Sequence, residues 1–256
     1  MVSHPLRIGD RGTLYEFLDW MLSASSNAAA STVIEQLLLL EHYRSDYPVP
    51  RPEINRFFTQ TPKRELGDLL RTALIGAVPR NGLDVERLRQ GSLFTARGKT
   101  HVPGTTSYAT PHELLRALVR LEQGKIVDRF SSREIKRLLY MTQRRIRYAS
   151  SPALNHAAVY FKSGSLYQCR PEPGFRCLKY HGNVKNYMNS IAIVESPAGA
   201  PRLYYMVALM SNVLRKNSAV VHQTLATRLQ RLISDYHPDA PHAAGRSDRR
   251  GDRSSR

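Results

Sequence analysis

Apolar positions in the first half of the chain recur at helical spacing. Leu14, Phe17, Leu18, Met21 and Leu22 form one stripe, and Thr13-Leu14-Tyr15-Glu16 ahead of it reads as a capping box, so a helix opens there. The polar run Ser23-Ala24-Ser25-Ser26-Asn27 interrupts it. Residues 28–42 predict a second helix, apolar enough around Val33 and Leu40 to be mostly buried. The proline-rich stretch SDYPVPRPEINRFF reads as a loop. Thr61-Pro62 then starts a short helix through Leu69, Leu70 and Leu74. A glycine-punctuated loop is expected over residues 76–106. Thr110-Pro111-His112-Glu113 reads as a second capping box, with proline at the first helical position, and opens a helix carrying Leu114, Leu115, Leu118 and Leu121. Ser131-Ser132-Arg133-Glu134 predicts the cap of one more helix, ending near Arg147.

From about residue 156 the pattern changes to that of strands. AAVYFKSGSLYQC, YMNSIAIVE and RLYYMVALM read as three strands, the last two joined in a hairpin by Pro197-Ala198-Gly199-Ala200. A final helix is expected to present Val221, Leu225, Leu229, Leu232 and Ile233 on one face. The organisation predicted is a mainly helical region over 1–150, a sheet with a closing helix over 151–236, and a disordered, low-complexity basic tail over 237–256.

The net charge of +17 favours anionic partners such as nucleic acid, anionic glycans or lipid headgroups, and it is equally compatible with a solvated basic surface. No aromatic-interleaved basic motif is visible, so nucleic acid is not the expected partner. No apolar run approaches the roughly 18 residues of a membrane span, and MVSHPLRIGDRG has no apolar signal region. Cys169 and Cys177 fit neither a zinc pattern nor C-x-x-C. A disulfide across a hairpin, suited to an oxidising compartment, and two reduced buried thiols both stand open. His112-Glu113 lacks the second histidine of H-E-x-x-H, and no G-x-S-x-G occurs. Neither a metal nor a cofactor is expected.

Two polar clusters carry candidate chemistry. Ser25-Ser26-Asn27 sits at a break between helices, and Lys162-Ser163-Gly164-Ser165 sits on a strand. Strand alternation puts Lys162 and Gly164 on one face and Ser163 and Ser165 on the other. Each cluster has an ordinary reading: serine and asparagine are preferred N-caps, and a lysine protects an edge strand. In this order, however, they fit the S-x-N and K-[ST]-G elements of the penicillin-recognising serine enzymes. The stretch LYEFLDWMLSASSNAAASTVIEQLL resembles the helix, S-D-N and following helix of class A β-lactamases, and TTSYATPHELLRAL is similar to the threonine-rich cap of a later helix in that family. The resemblance covers most of residues 6–235, apart from a divergent stretch over 44–102.

The resemblance implies a β-lactamase-like α/β (α+β) fold, with a helical region, an antiparallel sheet and a C-terminal helix packed on it. It implies a periplasmic or secreted serine hydrolase that acts through an acyl-enzyme on a β-lactam, or on a related amide or peptide with a carboxylate. Ser25 would relay a proton to the leaving nitrogen. Asn27 would bind the substrate's amide side chain and orient a lysine. Lys162 would polarise Ser25, Ser163 would bind the carboxylate, and the Ser165 N–H would form half of the oxyanion hole. Gly164 would leave the strand bare for the acyl group.

The chain departs from the family pattern in three places. The nucleophile of S-x-x-K is absent, because no lysine has a serine or threonine three residues before it. The expectation is therefore a chain that lacks the N-terminal part of the fold carrying that motif, and is inactive by the family's route. Ser26 stands where the family has aspartate. Arg51-Pro52-Glu53-Ile54-Asn55 resembles the end of the family's E-P-x-x-N motif, but Arg51 holds the glutamate's place. Glu53 is left as a possible deacylation base, its ordinary reading being a solvated loop acid. The alternative function is non-catalytic binding of a polyanion or anionic glycan through the basic surface.

Overall fold

The computed structural model describes residues 11–238, so the predicted tail, apart from its first two residues, lies outside the described residues. Helix α1 (Leu14–Leu22) opens with the expected reciprocal box: the Thr13 hydroxyl accepts from the Glu16 N–H, and the Glu16 carboxylate accepts from the Thr13 N–H at 2.7 Å. Helix α2 (Asn27–Tyr43) is capped by the Ser26 hydroxyl and buries Val33, Ile34, Leu38 and Leu39.

The proline-rich stretch is not all loop. Residues Arg51–Gln60 form α3, with Pro50 as its N-cap and Pro52 in its first turn. There a missing N–H has no intrahelical partner to lose. Phe57 is buried, and Ile54 and Phe58 pack beside it at helical spacing. Helix α4 (Lys63–Leu70) adds Leu66 and Leu70, and Leu93 and Val102 complete this helical core. The expected loop over 76–106 contains short elements: α5 (Ala77–Arg80), β1 (Leu88–Arg89) and α6 (Ala96–His101). Strand β1 pairs antiparallel with β2 (Tyr108–Ala109).

Helix α7 (Pro111–Glu122) forms only half of its expected box. The Thr110 hydroxyl accepts from the Glu113 N–H, but the fully buried Glu113 carboxylate accepts from the Asp84 N–H at 2.7 Å. That side chain ties the preceding loop to the helix. Helix α8 (Arg129–Tyr140) is capped by Asp128 and not by Ser131, because the Asp128 carboxylate accepts from the Ser131 N–H at 2.7 Å. It also stops at Tyr140, well short of Arg147.

Strands β3 (Ala158–Gln168), β4 (Lys185–Ser196) and β5 (Leu203–Asn212) form the expected three-stranded antiparallel sheet, in the order β3-β4-β5. Helix α9 (Ser218–Tyr236) covers one face through a core of Val159, Phe161, Ala192, Val194 and Ala226. The other face packs Ile193 against Leu118 and Leu121 of α7 and Leu139 of α8. The inward stripe of α9 differs from the apolar one expected. It runs through Ala219, His222, Ala226 and Gln230, whereas Leu232 is 51% exposed. The sheet beneath offers hydroxyls: Ser190 and Ser211 meet His222, and Tyr205 donates to Gln230. Two polar helix residues are satisfied there without water.

Candidate active site

The turn between α1 and α2 and the exposed edge of β3 face each other across a cleft of 1510 Å³. A strap over residues 141–147 joins them. Its Gln143 N–H donates to the Ser23 carbonyl and its Arg144 Nε to the Ala24 carbonyl, both at 2.9 Å. On the other side Thr142 Oγ donates to the Phe161 carbonyl, and Arg145 donates to the Val159 carbonyl at 3.2 Å. The main-chain N–H of Gln143 serves the Ser23 carbonyl and so is not available to continue the α8 ladder. The side chains of Thr142, Arg144 and Arg145 fasten the strap to the turn and the strand.

Ser26 caps α2. Its neighbour Ser25 is left for other work, with φ at +57°, a left-handed conformation uncommon for a residue other than glycine. Lys162 Nζ lies 2.7 Å from Ser25 Oγ and 2.9 Å from the Ser163 carbonyl. Burial, followed by the charges of Arg147 and Arg144, pushes the Lys162 ammonium down to about 8. Asn27 is exposed and lines the same cleft.

Ser163 and Ser165 point to the opposite face from Lys162, and both meet Arg147. Its guanidinium donates to Ser163 Oγ, to Ser165 Oγ at 3.1 Å and to the Tyr180 hydroxyl at 3.3 Å. Arg147 is 6% exposed, and its Nε has no partner. Among the described residues no carboxylate lies within salt-bridge distance of either Arg147 or Lys162. Buried charges are ordinarily paired, and an uncompensated one costs several kcal/mol. Arg147 therefore stands as an unpaired, buried cation lining the cleft, with Lys162 a second unpaired cation on the other face of β3 beside Ser25. Burial would raise the Tyr180 phenol, but the hydrogen bond and charge of Arg147 and the nearby Lys179 bring it below the ordinary tyrosine value.

Strand β3 is the edge of the sheet, so alternate peptide groups face the cleft side. The carbonyls of Val159, Phe161 and Ser163 all accept from groups outside the sheet, which makes Ser165 the next residue whose peptide unit turns outward. A Cβ built on Gly164 would meet nothing within 4 Å. The strand is bare there.

Glu53 lies apart from these groups. It is on α3, pairs with Arg56 at 3.1 Å and does not line the cleft. The structure joins Cys169 and Cys177 in a disulfide, which resolves the two alternatives left open by spacing. The bridge closes the turn at Gly174 at the start of the loop that carries Lys179 and Tyr180. Among the described residues, no group of three His, Cys, Asp or Glu could hold a metal ion.

Sequence reasoning missed Arg147, Arg144 and Tyr180. Only one signal pointed to them. Ser163 and Ser165 continue the inward face of Val159 and Phe161, and hydroxyls on that face need a polar partner.

A family model described as the Beta-lactamase enzyme family matches residues 3–235. Among solved structures, the chain is similar to a β-lactamase from Sphaerobacter thermophilus, with 16% identity, a TM-score of 0.55, and coverage of 92% of this chain and 67% of that one. It is also similar to a variant of the last common ancestor of the class A β-lactamases of Gram-negative bacteria, with 19% identity, a TM-score of 0.52, and coverage of 90% and 68%. A third is the TLA-3 extended-spectrum β-lactamase, with 14% identity, a TM-score of 0.50, and coverage of 86% and 63%. The chain thus spans about two thirds of the length of these structures, and the likeness is one of fold. No curated protein matches it.

Proposed function

Since this chain belongs to the Beta-lactamase enzyme family, we propose that its cleft binds a carboxylate-bearing amide, a β-lactam or a related peptide, for acyl transfer to a serine. One observation carries this reading: Arg147, buried and lining the cleft, has no carboxylate of its own among the described residues. A substrate carboxylate received by Arg147 and Ser163 supplies the missing charge, and hydrogen bonds to a charged group contribute about 1.5–3 kcal/mol each. The scissile carbonyl then lies along the bare strand at Gly164, where the outward-turned N–H of Ser165 stabilises the developing oxyanion. Asn27 faces the substrate's amide side chain from the opposite wall. Ser25, polarised by Lys162, hands a proton to the leaving nitrogen.

The family's covalent route also calls for an S-x-x-K serine, which the 256 residues do not contain. The substrate-binding half of the reading stands independently of that serine. A location outside the cytoplasm, in the periplasm or secreted, fits the Cys169–Cys177 disulfide.

The test is equilibrium binding of a penicillin and of its carboxylate methyl ester, followed by the fluorescence of Trp20, the single tryptophan, which lines the cleft. The free acid is expected to bind at least tenfold tighter than the ester, and Arg147→Ala is expected to abolish that preference. Equal affinities for acid and ester would overturn the reading. Tight, salt-sensitive binding of an anionic glycan with no binding of the penicillin would favour the polyanion-binding alternative, to which the net charge of +17 also points.

A further inference from the structure

Ser25 and Lys162 are 137 residues apart in sequence and meet at 2.7 Å. One comes from a turn and the other from a strand, and the strap through Arg144 holds the two elements in register. Ser26 already caps the helix, and the one side-chain hydrogen bond of Ser25 among the described residues is to Lys162. The groups around this amine are known. Arg144 and Arg147 approach from the strap, the Ser163 carbonyl from β3, and Lys179 and Tyr180 line the cleft from the disulfide loop. Asp19 of α1 is the one acid lining the cleft among the described residues.

We propose that Ser25 is itself a nucleophile, with Lys162 as its general base, so that these residues hold a serine–lysine pair competent for acyl transfer without an S-x-x-K. The inference rests on the cleft being the acyl-substrate site and changes the role of Ser25 from proton relay to attacking group. Neutral Lys162 takes the hydroxyl proton as Ser25 Oγ bonds to the carbonyl carbon, and the carbonyl electron pair moves onto oxygen. When the tetrahedral species collapses, the carbon–nitrogen bond breaks and the Lys162 ammonium gives its proton to the leaving nitrogen. Water then attacks the Ser25 ester and passes a proton to Lys162. The ester bond breaks, Oγ recovers a proton from Lys162, and the acid product departs. Burial, with the charges of Arg147 and Arg144 adding to it, lowers the Lys162 ammonium to about 8 and makes the neutral base accessible in mildly alkaline solution.

The experiment is labelling of the full chain with an alkyl fluorophosphonate from pH 6 to 10, read by intact mass and peptide mapping. The reagent forms a phosphorus–oxygen bond at an activated serine and releases fluoride. The expected result is one adduct, on Ser25, with a rate that rises through a midpoint near 8. Ser25→Ala is expected to remove the adduct, and Lys162→Met to slow labelling more than 100-fold and flatten the pH profile. No adduct, an adduct on another serine, or a rate indifferent to Lys162→Met would overturn the proposal. The same samples are checked for penicillin binding through Trp20. Binding without labelling removes the serine–lysine pair alone, whereas labelling without binding removes the carboxylate reading alone. Should Ser25→Ala fail to fold, Ser25→Cys supplies a second measurement. Its alkylation midpoint is expected at least one pH unit below that of an ordinary thiol, because the Lys162 ammonium favours the thiolate. An ordinary midpoint would overturn the proposal.

Discussion

Gly164 isolates function from stability at the scale of one residue. Glycine is not required there by the backbone, because its φ lies outside the left-handed region, and a Cβ would enter open space. Gly164→Ala is therefore expected to raise folding stability in urea by roughly 0.4–1 kcal/mol, through a less disordered unfolded chain. The same methyl group projects into the cleft where an acyl group would lie along β3. Penicillin affinity, measured by Trp20 fluorescence, is expected to fall at least fivefold. A gain in stability with unchanged affinity would mean that the ligand does not run along this strand.

At the scale of elements, α9 is held on the sheet by a buried histidine. His222 is fully buried, with Nδ1 2.9 Å from Ser190 Oγ and Nε2 2.9 Å from Ser211 Oγ. Burial, with a smaller contribution from the Arg147 charge, lowers it to about 4. Between about 4 and 6.5 the unfolded chain binds a proton that the folded chain refuses, so folding stability rises with pH across that window. Acidification from pH 6.5 toward 4 should remove up to roughly 3 kcal/mol through this one residue. His222→Asn, which keeps a donor and an acceptor between the two serines, is expected to flatten the pH dependence of the urea midpoint in that window. An unchanged slope would place the acid sensitivity elsewhere.

The same helix marks how far local pattern reached. Its existence was legible, as was that of α1, α2 and the three strands, because long apolar periodicities and the Thr13 box have few competing solutions. Its buried face was not, since the sheet offered Ser190, Ser211 and Tyr205 and drew in His222 and Gln230 over Leu232. The end of α8 was hidden for a related reason: the main-chain N–H of Gln143 is committed to the Ser23 carbonyl, a partner far away in sequence. In the site, Ser25, Asn27 and the Lys162–Ser165 run were marked by motif order. Arg147 sits in an arginine-rich stretch that reads like surface, and only the fold buries it.

For the molecule as a whole, part of the net charge of +17 lines the cleft, with a consequence that can be measured. Arg11, Lys99, Arg144, Arg147 and Lys179 line the cleft against a single acid, Asp19, among the described residues. A concave surface lined by one sign of charge concentrates oppositely charged ligands and speeds their arrival. Salt screens that long-range field, with a Debye length falling from about 10 Å at 0.1 M to about 3 Å at 1 M. The contact between a seated carboxylate and the buried Arg147 guanidinium is much less exposed to ions. Stopped-flow measurement of penicillin binding should therefore show an association rate that drops roughly tenfold between 0.02 and 0.5 M salt, with a dissociation rate changing less than twofold. If dissociation instead carried the salt dependence, the anion would be held at the exposed rim by residues such as Lys99 and Lys179. The buried cations at β3 would then need another explanation.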